Sequence, residues 1–157
     1  MRKSLLVVAL LMTSCLSTPD YVSTNGVEYR YVDNAVPWVP AQIEAQENYF
    51  IQQVSSTVPG YSITTIQSVL KGTQVFIYPA PFACPWSISL EGGSGYCNGD
   101  EDYNTLNIVD LNCPGKSALT HEMGHEIEYY IKGITDYNCT VEPSLWIIAD
   151  SVAPGSC

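Results

Sequence analysis

The spacing of apolar residues changes period several times along the chain, and each change marks an element. Leu5 to Met12 is an unbroken apolar run behind Arg2 and Lys3. Val27, Tyr29 and Tyr31 then alternate with Glu28 and Arg30, the two-residue period of a strand with one buried face, which predicts a strand over Val27 to Val32. From Ala41 to Ser56, Ile43, Tyr49, Phe50, Ile51 and Val54 recur at helical spacing between Pro40 and the stop at Pro59-Gly60. Ser62 to Leu70 admits two readings, because Ile63-Thr64-Thr65-Ile66 favours a strand while the apolar spacing also fits a short helix; the β-branched run tips the expectation to strand. Thr73 to Tyr78, entered from Gly72 and closed by Pro79 and Pro81, is a clearer strand, and Thr105 to Leu111 is another. Lys116 to Ile131 reads as a helix ended by Gly133, and Pro143 to Ser151 as a short final one. Between these elements Thr18 to Asn25 reads as a polar tether and Asn98-Gly99-Asp100-Glu101-Asp102 as an acidic turn. No repeat or heptad series interrupts this order, so the pattern predicts one α+β domain.

The first segment stands apart. Two basic residues, eight apolar ones and the small polar residues Thr13, Ser14 and Cys15 make residues 1–17 a signal peptide, and an apolar run that short does not span a bilayer, which takes about 20 helical residues. Leu11-Met12-Thr13-Ser14-Cys15 resembles the lipobox of bacterial lipoproteins, so both lipid anchorage through Cys15 and plain cleavage after Ser17 stay open. The expected folded part is residues 18–157, a single domain that is secreted or anchored as a lipoprotein on the periplasmic or outer face.

Composition agrees with export. Only 14% of the 157 residues are charged, against roughly 25% in an average domain. Lys and Arg total 6 and Asp and Glu total 16, a formal charge of -10, which excludes nucleic acid as a natural partner. Beyond Cys15 lie Cys84, Cys97, Cys113, Cys139 and Cys157. In an oxidising compartment such residues pair. Cys84 with Cys97, across the loop Glu91-Gly92-Gly93-Ser94-Gly95-Tyr96, is the first expected pair, and Cys113 with Cys139 the second.

Candidate chemistry concentrates in His121-Glu122-Met123-Gly124-His125, an HExxH motif that holds both histidines of the chain. Residues four apart stack on one helix face, so both imidazoles can reach one zinc ion. Glu122 lies about 100° round the helix from His121, beside a zinc-bound water and off the metal, where a carboxylate acts as general base. Zinc lowers the pKa of such a water to about 7, which suffices for peptide hydrolysis without a covalent intermediate. Gly124 costs about 1 kcal/mol in a helix relative to Ala, and so predicts something packed close against it.

On this motif the chain resembles the zincin metallopeptidases. The resemblance covers the motif helix and, more loosely, the order of elements from Val27 to Leu111. It implies a mixed sheet with an N-terminal helix and an active-site helix, a very short C-terminal subdomain, His121 and His125 as zinc ligands, and Glu122 as base. It also implies an edge strand that aligns a protein or peptide substrate, from Thr73 to Tyr78 or from the segment after Cys84. A third ligand is needed, a carboxylate or a thiolate since no histidine remains. Metzincin spacing would put Gly and a ligand where Glu128 and Ile131 stand. Glu142, ahead of the last helix, resembles gluzincin placement and is the expected ligand; Asp136, in Gly133-Ile134-Thr135-Asp136-Tyr137, is the alternative. Tyr129, Tyr130 and Tyr137 are candidate oxyanion donors. The function expected is thus an exported zinc endopeptidase, with a non-catalytic binding or surface protein of zincin-like fold as the alternative.

Overall fold

A computed structural model describes residues 18–83, 96–97, 99–102, 104–109, 117–135 and 139–154. Residues 1–17, expected to be a signal peptide, and residues 84–95 of the loop between Cys84 and Cys97 lie outside them. Among the described residues no helix is long and apolar enough to cross a membrane.

Among the described residues, four helices and a mixed sheet make an α+β fold. The elements run β1 (Tyr21–Val22), β2 (Glu28–Tyr31), α1 (Pro40–Thr57), α2 (Ile63–Leu70), β3 (Gln74–Tyr78), β4 (Phe82–Ala83), β5 (Tyr96–Cys97), β6 (Gly99–Asp102), β7 (Thr105–Val109), α3 (Ala118–Lys132) and α4 (Pro143–Ala149). Strands order as β1-β2-β3-β7-β6, with β4 and β5 forming a separate pair. Both β2 and β7 run parallel to β3, whereas β1 and β6 are antiparallel to their neighbours.

Alternation along the three inner strands puts Tyr29, Val75, Ile77, Leu106 and Ile108 on one face, all fully buried. They share a core with Ile43, Phe50 and Val54 of α1, Ile66 and Leu70 of α2, and Leu119, Met123 and Ile127 of α3. Pro40 opens α1 at a position where its missing N–H costs nothing, and Gly60 at φ 89° turns the chain out of it.

Three expectations are corrected. Ser62 to Leu70 is a helix: the Ser62 side chain accepts from the Thr65 N–H as an N-cap, and Ile66 and Leu70, four apart, face the core while Thr64 and Thr65 stay exposed. Capping and a buried stripe outweigh the weak strand preference of the β-branched run. The acidic stretch is strand β6 over Gly99–Asp102, because its backbone finds partners along β7, with Asn104 at φ 64° in the connection. Thr73 to Tyr78 is therefore interior, between β2 and β7, and β6 ends the sheet; α3 packs against β6 and β7.

The third correction concerns Thr18 to Asn25, which is built into the fold. Ser23 and Asn25 are buried, and two α1 carboxylates hold the segment. Glu44 accepts from the Tyr21 hydroxyl and from the backbone N–H and hydroxyl of Thr24. Glu47 accepts from the Asn25 amide and the Tyr29 hydroxyl. Burial pushes the Glu47 carboxyl up, while at Glu44 the hydrogen bonds from Thr24 and Tyr21 override burial and hold the carboxyl below its ordinary 4.5. A lowered carboxyl stabilises the fold above its unfolded value, and that contribution is lost as pH falls through the native value. Glu44→Gln should accordingly show a shallower loss of thermal stability than wild type between about pH 5 and 3. Parallel melting curves across that range test it.

Candidate metal centre

Helix α3 carries the site. Its first turn is capped by Ser117, whose side chain accepts from the Thr120 N–H, and its last by Gly133, which at φ 68° takes the left-handed conformation and donates to the Tyr129 carbonyl. Leu119, Met123 and Ile127 anchor one stripe in the core. Two residues further round the turn, about 200° away, His121, His125 and Tyr129 form the opposite stripe. Both imidazoles are half-buried, their centroids 5.0 Å apart, and Glu122 between the stripes is 7% exposed.

Helix α4 meets this face from outside. The Thr120 hydroxyl donates to the Ala149 carbonyl at 2.6 Å, and Gln46 of α1 donates to Thr120 Oγ1 and to the Ser151 carbonyl while accepting from the Ala153 N–H. Gly124 explains its cost here: a Cβ would stand 2.9 Å from Cζ3 of Trp146 and 3.2 Å from Cβ of Ala149, so only glycine lets the two helices approach this closely. The close neighbour expected at that position is the Trp146 indole. Its ring lies 5.3 Å from that of His121 and 4.5 Å from that of His125.

At the end of α4, Asp150 places Oδ1 2.7 Å from Nδ1 of His121. A carboxylate there favours the tautomer with the proton on Nδ1, which leaves the Nε2 lone pair available to a metal. Toward that nitrogen comes Cys139, its Sγ 3.9 Å from Nε2. His121, His125 and Cys139 form the one group of three such side chains among the described residues whose donor atoms lie within 4.8 Å of one another, an arrangement that could hold a metal ion.

Of the site residues expected from sequence, His121 and His125 are brought together, with Glu122 adjoining them in α3. Glu142 is not one of the converging group; it occupies the N-cap position of α4, where its carbonyl accepts from the Leu145 and Trp146 N–H groups. Burial and then the charges of Glu128 and Glu142 push the Tyr61 hydroxyl up to about 12. Asp136 and Tyr137 lie outside the described residues. Tyr129 and Tyr130 are exposed on the last turns of α3. Cys113, the partner expected for Cys139, lies outside the described residues.

Sequence reasoning missed Cys139 as a ligand candidate and Asp150 as the neighbour of His121. One signal for the first was in the cysteine count: beyond Cys15 five remain, and committing Cys139 to a metal leaves four, Cys84, Cys97, Cys113 and Cys157, an even number for pairing. Compared with known protein families, curated proteins and solved structures, the chain matches none of them.

Proposed function

We propose that this chain is an exported zinc-dependent peptidase of the zincin kind, with His121, His125 and Cys139 as metal ligands and Glu122 as general base. The observation that carries the reading is the convergence of both HExxH imidazoles with a thiol on a helix packed beside the end strand of a mixed sheet. Two imidazoles and a thiolate suit zinc, and a tetrahedral ion with ordinary Zn–N and Zn–S lengths would hold N and S about 3.6 Å apart. The 3.9 Å between Nε2 of His121 and Sγ of Cys139 is close to that spacing.

Zinc, when bound, supplies Lewis acidity toward a scissile carbonyl and acidity to water. The chain's own groups do the rest. Glu122 takes a proton from the attacking water as its oxygen bonds to the carbonyl carbon, then passes a proton to the departing amine nitrogen as the C–N bond breaks. Asp150 holds His121 in the ligating tautomer. Strand β6 offers an extended peptide the backbone groups of a sheet end close to α3. The leader-like residues 1–17 support export.

The test is metal content and proteolysis on residues 18–157. One zinc per chain after loading, with casein hydrolysis abolished by a chelator and restored by zinc, is the expected result. Zinc without hydrolysis would leave the binding-protein alternative. Well under one equivalent would sink the metal reading itself.

A further inference from the structure

We propose that Trp146 is a positioning residue of the metal centre, its indole holding the imidazoles of His121 and His125 in ligating orientation so that α4 sets metal affinity from outside the ligand set. The proposal rests on the zinc reading above and extends it to a residue that touches neither metal nor substrate.

A half-exposed histidine has a broad torsion about its ring bond. A ligand pair that must first be ordered binds more weakly than one already aimed, because the ordering free energy is subtracted from binding. Here one indole lies against both rings, at 5.3 and 4.5 Å between centroids and 48° between planes in each case. The two imidazoles are in turn edge to face with one another, at 80°. Three rings so arranged restrict one another, and the indole is the member fixed from outside.

Its fixity has visible causes. Trp146 is 5% exposed, and Cζ3 and Cη2 rest over the bare backbone of Gly124. The helix that carries it is tied to α3 by the bond from Thr120 to the Ala149 carbonyl. Four residues on, and thus on the same side of α4, Asp150 fixes Nδ1 of His121. One helix therefore supplies two restraints, a flat surface against both rings and an acceptor for one of them. Core filling alone does not explain the choice of residue: Nε1 of Trp146 is buried with no hydrogen-bond partner among the described residues, a cost that leucine would avoid. What the indole adds is a planar face wide enough for two imidazoles.

Residues 18–157 as wild type, Trp146→Phe, Trp146→Leu, Gly124→Ala and Leu145→Val would be titrated with zinc against a chromogenic chelator, at a temperature where each is folded. Cobalt would be loaded in parallel for its visible spectrum. Outer-shell partners of metal ligands are worth about 10- to 100-fold in affinity, and Trp146→Leu should lose at least about 10-fold and broaden the cobalt bands. Phenylalanine, which keeps a flat face, should recover most of the loss. Gly124→Ala, which closes the space beneath Cζ3 and shifts the indole, should weaken zinc in the same direction and keeps the proposal testable if Trp146→Leu does not fold. Leu145→Val perturbs the same helix core away from the rings and should leave affinity and spectrum unchanged.

Equal zinc affinity and cobalt spectra in wild type and Trp146→Leu would overturn the proposal while leaving the metal site standing. A loss in Leu145→Val as large as in Trp146→Leu would also overturn it, by reducing the effect to helix stability. Failure of the wild type to bind zinc would overturn both readings together.

Discussion

Glu122→Gln is expected to keep its zinc and its melting temperature while peptide turnover falls by about 100- to 10,000-fold, the usual worth of a general base. The two side chains are nearly isosteric, so the substitution leaves helix α3 and the packing around a 7% exposed residue intact. It removes only the group that accepts a proton. His121→Ala should behave differently and lose zinc and activity together, because it deletes a donor atom from the His121, His125 and Cys139 group. Zinc content by elemental analysis and initial rates on a peptide substrate, measured on the same preparations, separate the two variants. Equal zinc and equal rates in wild type and Glu122→Gln would end the peptidase reading.

The parts of this molecule that could be read from its sequence are those whose signals are local. Helix α1 is bracketed by Pro40 and Gly60, and α3 by Ser117 and Gly133, and inside each the apolar residues keep one period, so pattern and punctuation agree. The spacing of His121 and His125 belongs to that class, since a helix brings residues four apart together whatever lies around it. Misreadings occurred where distant partners decide. Strand β6 has an acidic sequence with no apolar alternation, and only its pairing with β7 makes it a strand. Thr18 to Asn25 is polar because its side chains and backbone bond to Glu44 and Glu47, about 20 residues on, and polarity without a visible partner reads as a tether. At Ser62 to Leu70 the signals are local but divided, and the cap at Ser62 carries more weight than two threonines.

The same division runs through the site. Trp146 and Asp150 reach the histidines because Gly124 admits α4, a consequence of helix approach that no spacing rule encodes. Family-like spacing of a carboxylate after the motif points to Glu142. In the fold, α4 instead presents the indole and Asp150 to the motif, and Cys139, between α3 and α4, brings its Sγ within 4.8 Å of imidazole nitrogens of both histidines, a third potential donor.

That donor gives the second large effect. On the reading proposed above, Cys139→Ala deletes a metal ligand and should lower zinc affinity by well over the 10- to 100-fold typical of losing a group that only orients a ligand, while Glu142→Gln and Asp136→Asn should leave affinity near that of wild type. The backbone supports this assignment independently of the donor distances. Four described non-glycine residues have positive φ: Asp33, Asn34 and Asn104 are of types that tolerate it, but Cys139, at φ 55°, is not. The left-handed conformation costs such a residue about 1 to 2 kcal/mol, and strain of this kind persists where the surrounding structure requires it. Here it holds Sγ 3.9 Å from Nε2 of His121. Cys139→Gly makes the complementary test, because it relieves the strain but removes the thiol: stability should hold or rise while zinc is lost. Cobalt supplies the direct readout, as a thiolate ligand adds a ligand-to-metal charge-transfer band in the near ultraviolet that Cys139→Ala must abolish. Retention of that band in Cys139→Ala, or loss of zinc in Glu142→Gln alone, would return the third ligand to the carboxylate.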